Sequence, residues 1–309
     1  MITENASLKP AARRRLNLGK YAGFFLVLPS IIAVGIFVYG FIAWSVRVSL
    51  SQWKGLTPDY TFVGLKNYIN LFSDPRFMVD IRNTVIFTLV FVLGSLTIGL
   101  TLAILLDQHL PGEAFFRSLF LFPMAISFIV TGVVWRWMLN PAITADRLSG
   151  FNLLFHNLGL DFLINQWHLT PTWGIAAVAL AAIWQMSGYT MALYLGGLRA
   201  VPDELREAAR VDGASELQVY RRIILPMLWP VTLSAVIILG HISLKVFDLI
   251  IAVAGKQLPL DVPAIYMWQT TFDGLFYGRG ASIGILLLIS VAVLIIPYLS
   301  YSLRSGGES

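Results

Sequence analysis

Long apolar runs separated by short polar intervals dominate the chain from residue 21 onward. A hydrocarbon core about 30 Å thick needs roughly 20 apolar residues of helix to cross it. Six stretches reach that length: residues 21–46, 84–106, 118–139, 172–198, 223–254 and 281–303. The first, second, fourth and sixth carry no charge. The third is interrupted only by Arg136, between Trp135 and Trp137, and the fifth contains Lys245 and Asp248. This pattern predicts an all-α, polytopic membrane protein with six transmembrane helices.

Six spans place both termini on one side. The basic head (Lys9, Arg13, Arg14, Arg15 and Lys20) predicts that this side is the cytoplasm. Loops assigned in this way hold 12 Lys and Arg inside, 8 outside and 2 within spans. The outer segment 47–83 opposes the trend with five of those eight, and the head and the basic loop 199–222 outvote it. The first span exceeds the core of a signal peptide, about 7–15 residues, and is expected to remain as an anchor. The predicted organisation is a cytoplasmic segment 1–20, a membrane domain 21–303 and a cytoplasmic tail 304–309. Two outer segments, 47–83 and 140–171, mix aromatic with polar residues, among them Trp53, Tyr60, Phe62, Phe151, Phe155 and Trp167. They suit either interfacial packing or the docking of an extracytoplasmic partner.

Composition agrees with the pattern. Hydrophobic residues make up 57% of the 309 and charged residues 13%, about half the charged share of a soluble domain. Without cysteine there is no disulfide, thiolate ligand or thiol nucleophile. The net charge of +5 gathers at the ends of apolar runs rather than in a basic stripe, which argues for topology and lipid rather than nucleic acid. None of the six lysines lies in GxxxxGK[ST], and neither HExxH nor GxSxG occurs. The chain is therefore not expected to be an enzyme, and any ATP used must be bound by another polypeptide.

The interval between the fourth and fifth runs reads VPDELREAARVDGASELQVYRRIILPMLWP, residues 201–230. Pro202 and Asp203 begin a helix with acids in its first turn. Asp212-Gly213 ends it, because glycine accepts the left-handed geometry of a reversal. Ser215 and Gln218 form a capping box for a second helix that enters the next span. The sequence predicts a helix outside the membrane, a sharp turn and a re-entering helix, which together make a lever.

Glu207-Ala208-Ala209, then Gly213, then Ile223-x-Leu225-Pro226 resembles in full the EAA loop of binding-protein-dependent ABC importer permeases. Residues FVGLKNY (62–68), FRSLFLFP (116–123), and Trp135-Arg-Trp137 through Asn140-Pro141 are similar to the carbohydrate-uptake branch, to the first permease of a pair. The resemblance covers essentially the whole chain. It implies a type I importer permease fold and a location in the cytoplasmic membrane of a bacterium or archaeon. It further implies a second permease, two ATPase subunits that bind ATP and Mg, and an extracytoplasmic sugar-binding protein. Glu207, Ala208, Ala209, Gly213, Ile223, Leu225 and Pro226 would then couple to the ATPase by alternating access. Residues 240–248, GHISLKVFD, look most like hexose importers of the glucose/mannose kind, with an oligosaccharide or a glycerol phosphate ester as the alternative cargo.

Ionisable groups at bilayer depth are costly and mark candidate sites. His241, Lys245 and Asp248 follow an i, i+4, i+7 spacing that predicts one helical face, with Lys245 and Asp248 able to pair. That face, with Ser243, either fixes helix packing or lines the path. Trp184, Gln185, Ser187 and Tyr189 interrupt an Ala/Leu helix with the mixture a sugar requires, an aromatic surface and hydrogen-bonding groups. They are cargo candidates or packing residues. Arg136 reads as a snorkelling anchor. Gly94, Gly99, Gly196 and Gly197 permit close helix contact, for which a partner permease is one reading. An ion-coupled transporter predicts matching broken repeats, and a membrane enzyme predicts a catalytic constellation. The sequence offers neither.

Overall fold

The computed structural model describes residues 18–305 except 109 and 110; Lys9, Arg13, Arg14, Arg15 and residues 306–309 fall outside the described residues. Met1–Arg47 and Val48–Ser309 are two compact units. The first holds α1 (Leu18–Val34), a π-helical turn, Gly35–Gly40, and all but the last two residues of α2 (Phe41–Ser49). Together these are the first predicted span.

In the second unit, α3 (Lys66–Phe72) lies in the segment 47–83 predicted to be outside, and α4 (Pro75–Leu106) is the second span. α4 starts earlier than hydropathy predicts because Asp74 caps it, its carboxylate accepting the Arg76 N–H at 2.9 Å, and Pro75 occupies the first turn. At about 1.5 Å per residue its 32 residues exceed the hydrocarbon core by several turns. The third predicted span is not one helix. α5 (Glu113–Leu121) and α6 (Phe128–Met138) meet at 99°. Pro123 lacks the N–H needed to continue α5, Ile126 is extended, and the Ser127 hydroxyl accepts the Val130 N–H to start α6.

α7 (Gly150–Asn157) belongs to the segment 140–171, also predicted to be outside, and α8 (Gly174–Arg199) is the fourth span. α9 (Asp203–Val211) and α10 (Glu216–Val219) form the predicted lever. A π-helical turn, Tyr220–Ile224, and the short α11 (Leu225–Met227) then lead into α12 (Trp229–Leu244) at a bend of 62°. The fifth predicted run breaks after Leu244 and resumes as α13 (Asp248–Ala254). α14 (Pro263–Trp268) and α15 (Tyr277–Ser305), the sixth span, complete the unit.

α4 and α8 are the central pair. Phe87, Phe91, Ile175, Val178 and Ala182 are buried between them together with Leu249 and Val253 of α13. Close contact depends on small residues: a Cβ on Gly94 would lie 2.4 Å from Ile183, and one on Gly99 2.6 Å from Thr190. A Cβ on Gly197 would lie 2.8 Å from Leu228, whereas Gly196 faces open space. Gly94, Gly99 and Gly197 thus serve contacts within the chain, a correction to the partner-permease reading. At the far end of α4, Arg76 donates to Asp261 at 2.7 Å, and Asp74 accepts from Tyr266 at 2.6 Å and pairs with Arg279. These bonds tie the start of α4 to α14 and α15.

Candidate coupling elbow and cargo cavity

The elbow follows from local chemistry. α9 ends where the Gly213 N–H reaches the Arg210 carbonyl, and Gly213 has φ +81°, which a side chain would strain. The Ser215 N–H donates to Gln218 Oε1 at 2.8 Å, the predicted capping box. Arg210 and Glu216 pair across the turn at 2.7 Å. The motif residues then divide by face. Glu207, Ala208 and Gly213 are exposed, as are Leu205, Val211 and Leu217 around them. Ala209 packs inward on a cluster of Leu106, Tyr194, Leu198, Val219, Ile224 and Leu228. Ile223 is half-buried, and Leu225 and Pro226 are exposed. The residue that plugs the elbow into α4 and α8 is Ile224, fully buried, between the two motif positions that sequence reasoning marked.

The second place is the break between α12 and α13. Lys245 closes α12, Phe247 has a non-helical backbone (φ −139°, ψ −62°), and Asp248 opens α13. The predicted single face through His241, Lys245 and Asp248 therefore does not exist, and Lys245 and Asp248 form no ion pair. The correction has a physical reason. A cation is stabilised at a helix C-terminus and an anion at an N-terminus, so each charge favours ending its helix over spanning a continuous turn.

Both side chains are exposed and, with His241, line a cavity of about 200 Å³ with Phe128 and Phe247. An adjoining cavity of about 540 Å³ shares His241, Lys245 and Phe247 and adds Met267, Trp268 and Gly284. The His241 Nδ1 is buried without a protein partner. Lys256 lies 4.1 Å from the centre of the Trp268 ring. Trp268 and Met267 escaped sequence reasoning, because residues 255–280 fall between the fifth and sixth apolar runs; the aromatics following Pro263 were the available signal.

The other candidates lie elsewhere. Gln185 is buried and donates through Nε2 to the Ile126 carbonyl at 2.6 Å, holding the α5–α6 elbow on α8. The buried Ser243 accepts from Thr88 at 2.9 Å and donates to the Gly240 carbonyl, which joins α12 to α4. The Ser187 hydroxyl donates to the Trp184 carbonyl, and Tyr189 packs on the α4–α8 core. Trp184 is 40% exposed, with its ring 6.2 Å from that of Trp135. Arg136 donates to the Val253 carbonyl at 2.9 Å, so it caps α13 rather than snorkelling freely.

The profile of the family described as binding-protein-dependent transport system inner membrane component matches residues 95–305. A probable ABC transporter permease of Pyrococcus horikoshii is 42% identical over 92% of this chain and 96% of its own length. A xylose/arabinose import permease of Haloferax volcanii is 37% identical over 89% and 86%. A trehalose/maltose transport system permease of Thermococcus litoralis is 31% identical over 90% and 92%. The crystal structure of a bacterial ABC transporter involved in alginate import superposes with a TM-score of 0.76 at 22% identity, covering 93% of this chain and 96% of that one, which shows the fold. The exposed elbow between the fourth and fifth spans, the fold and these relatives converge: the chain belongs to the binding-protein-dependent transport system inner membrane component family and is a multi-pass ABC importer permease.

Proposed function

We propose that this chain carries sugar across the membrane by alternating access, paired with a second permease and driven by two ATPase subunits that bind ATP and Mg. An extracytoplasmic sugar-binding protein delivers the cargo. The observation that carries this reading is the elbow. Glu207, Ala208 and Gly213 stand exposed beside Leu205, Val211 and Leu217, an apolar and acidic grip, while Ala209, Val219 and Ile224 anchor the same elbow in the α4–α8 bundle. A body held on one side and free on the other transmits force from a partner into the spans. Closure of the ATPase dimer on ATP moves the elbow and opens the path outward, and hydrolysis returns it inward. This subunit makes and breaks no bonds.

The path passes the break after Leu244. His241, Lys245 and Asp248 offer hydrogen-bonding groups, and Phe247 and Trp268 offer ring faces for the C–H surface of a sugar. A cation and an anion at one site suit neutral polyhydroxyl cargo better than a phosphate ester, which calls for several cations. A hexose is the cargo of first choice. The pentose and disaccharide names carried by the Haloferax and Thermococcus relatives supply the competing arms.

The test is ATP hydrolysis by the reconstituted complex with binding protein loaded from a panel of glucose, mannose, xylose, arabinose, trehalose, maltose and glycerol phosphate. Stimulation by a hexose supports the reading. Stimulation by a pentose or disaccharide alone overturns the hexose assignment, and no stimulation by any sugar overturns the cargo class.

A further inference from the structure

A lever moves only what it is joined to, and among the described residues α9 has one side chain in polar contact with the spans. Four of its five charged side chains, Asp203, Glu204, Glu207 and Arg210, are exposed. Arg206 alone turns inward. Its Nη1 donates to Asp107 Oδ2 at 2.9 Å, with the two side chains only 16% and 6% exposed. Its Nη2 donates to the Leu198 carbonyl at 3.0 Å. Asp107 caps the C-terminus of α4, and Leu198 lies in the last turn of α8. One planar guanidinium thus joins α9 to the ends of both central helices, a geometry that its rigid fork permits and a lysine ammonium does not reproduce. Asp107 also stands where the helix dipole disfavours a carboxylate, and Arg206 offsets that. Among the described residues this is the one ion pair between α9 and a spanning helix. The Arg210–Glu216 pair stays within the elbow, and Arg199–Glu113 joins α8 to α5.

We propose that Arg206 and Asp107 are the clamp through which displacement of the elbow becomes movement of α4 and α8. Both are positioning residues. The inference rests on the coupling reading above and adds the joint that the reading requires. The apolar packing of Ala209 and Val219 keeps the elbow seated, but such contacts slide, whereas a guanidinium that holds the Asp107 carboxylate with one arm and the Leu198 carbonyl with the other fixes register.

The test uses the whole complex in vesicles with sugar-loaded binding protein, and records thermal stability, ATP hydrolysis and sugar uptake together. Arg206→Met with Asp107→Leu removes both charges at similar bulk, a replacement that buried pairs commonly tolerate. The expected result is retained ATPase subunits, hydrolysis that loses most of its stimulation by loaded binding protein, and uptake per ATP lower by about tenfold. Arg206→Lys keeps the charge but not the fork, so it serves if the double variant fails to fold, and it lowers the same ratio by a smaller factor. Unchanged uptake per ATP in every variant that folds overturns the clamp. Absence of ATPase subunits from the parent complex overturns the coupling reading instead, so the two failures are separable.

Discussion

Lys245 and Asp248 flank a gap in the fifth span, the cation ending one helix and the anion beginning the next. Neither neutralises the other, and both open onto the cavity that His241 and Phe247 share. Charges held at helix ends in an apolar wall are partly satisfied by the helix dipoles, which leaves their hydrogen-bonding capacity for a visitor. In a membrane protein, non-helical backbone at depth is tolerated where it lines a cavity, and this break fits that rule.

If cargo uses those groups, Lys245→Ala should weaken uptake affinity by about tenfold, the scale of one hydrogen bond to a charged group. ATPase association should be unchanged. The measurement is the sugar concentration giving half-maximal uptake into vesicles, compared with Asp248→Asn and with Ser243→Ala. Ser243 faces Thr88 rather than the cavity, so its variant should move thermal stability more than affinity.

The α5–α6 elbow leans on one glycine. A Cβ on Gly188 would lie 1.8 Å from the Phe120 carbonyl oxygen, and backbone cannot retreat as a flexible side chain can. Gly188→Ala is expected to destabilise the protein by about 1–3 kcal/mol through overpacking. A lowered midpoint in a thermal unfolding scan in detergent would record this, while Gly196→Ala, facing open space, should leave the midpoint unchanged.

These two places show what hydropathy reveals and what it hides. Four of the six apolar runs needed no partner information beyond their length, and the turn at Gly213 with its Ser215–Gln218 box was readable because both depend on neighbours within a few residues. The bend at Pro123 was visible as a proline, but the run through residues 118–139 stays apolar across it and so counted as one helix. The break at 245–247 contains neither glycine nor proline. Its only local sign was the order of charges, lysine before aspartate, which equally suits a pair one turn apart. Where Gln185 points is set by Ile126, 59 positions away, and nothing local encodes that.

The N-terminal end of α4 carries a pH-dependent contribution to stability. Burial pushes the Asp74 carboxyl up, but hydrogen bonds from Tyr266 and the Arg76 N–H, with the Arg279 charge, more than reverse this and hold it below the usual carboxylate value. Its folded-state value is therefore depressed. The stabilisation it gives is complete above the unfolded value of about 3.9 and disappears as pH falls through the folded one. Asp74→Asn should cost about 1–3 kcal/mol at neutral pH. The gap between parent and variant melting midpoints should close as pH is lowered below about 4. A gap that persists undiminished at the lowest pH would mean the carboxylate charge is not what holds α4 to α15.

The proposed coupling depends most directly on the exposed Glu207 carboxylate of α9. Tagged parent and Glu207→Lys chains, extracted from membranes with whatever they hold, are assayed for bound ATP-hydrolysing polypeptide and then for sugar uptake after reconstitution. The parent is predicted to retain such a polypeptide and to accumulate sugar only when ATP is supplied, and Glu207→Lys to lose both. Solute movement by the parent chain alone without ATP, or a Glu207→Lys chain that keeps both partner and uptake, would contradict it.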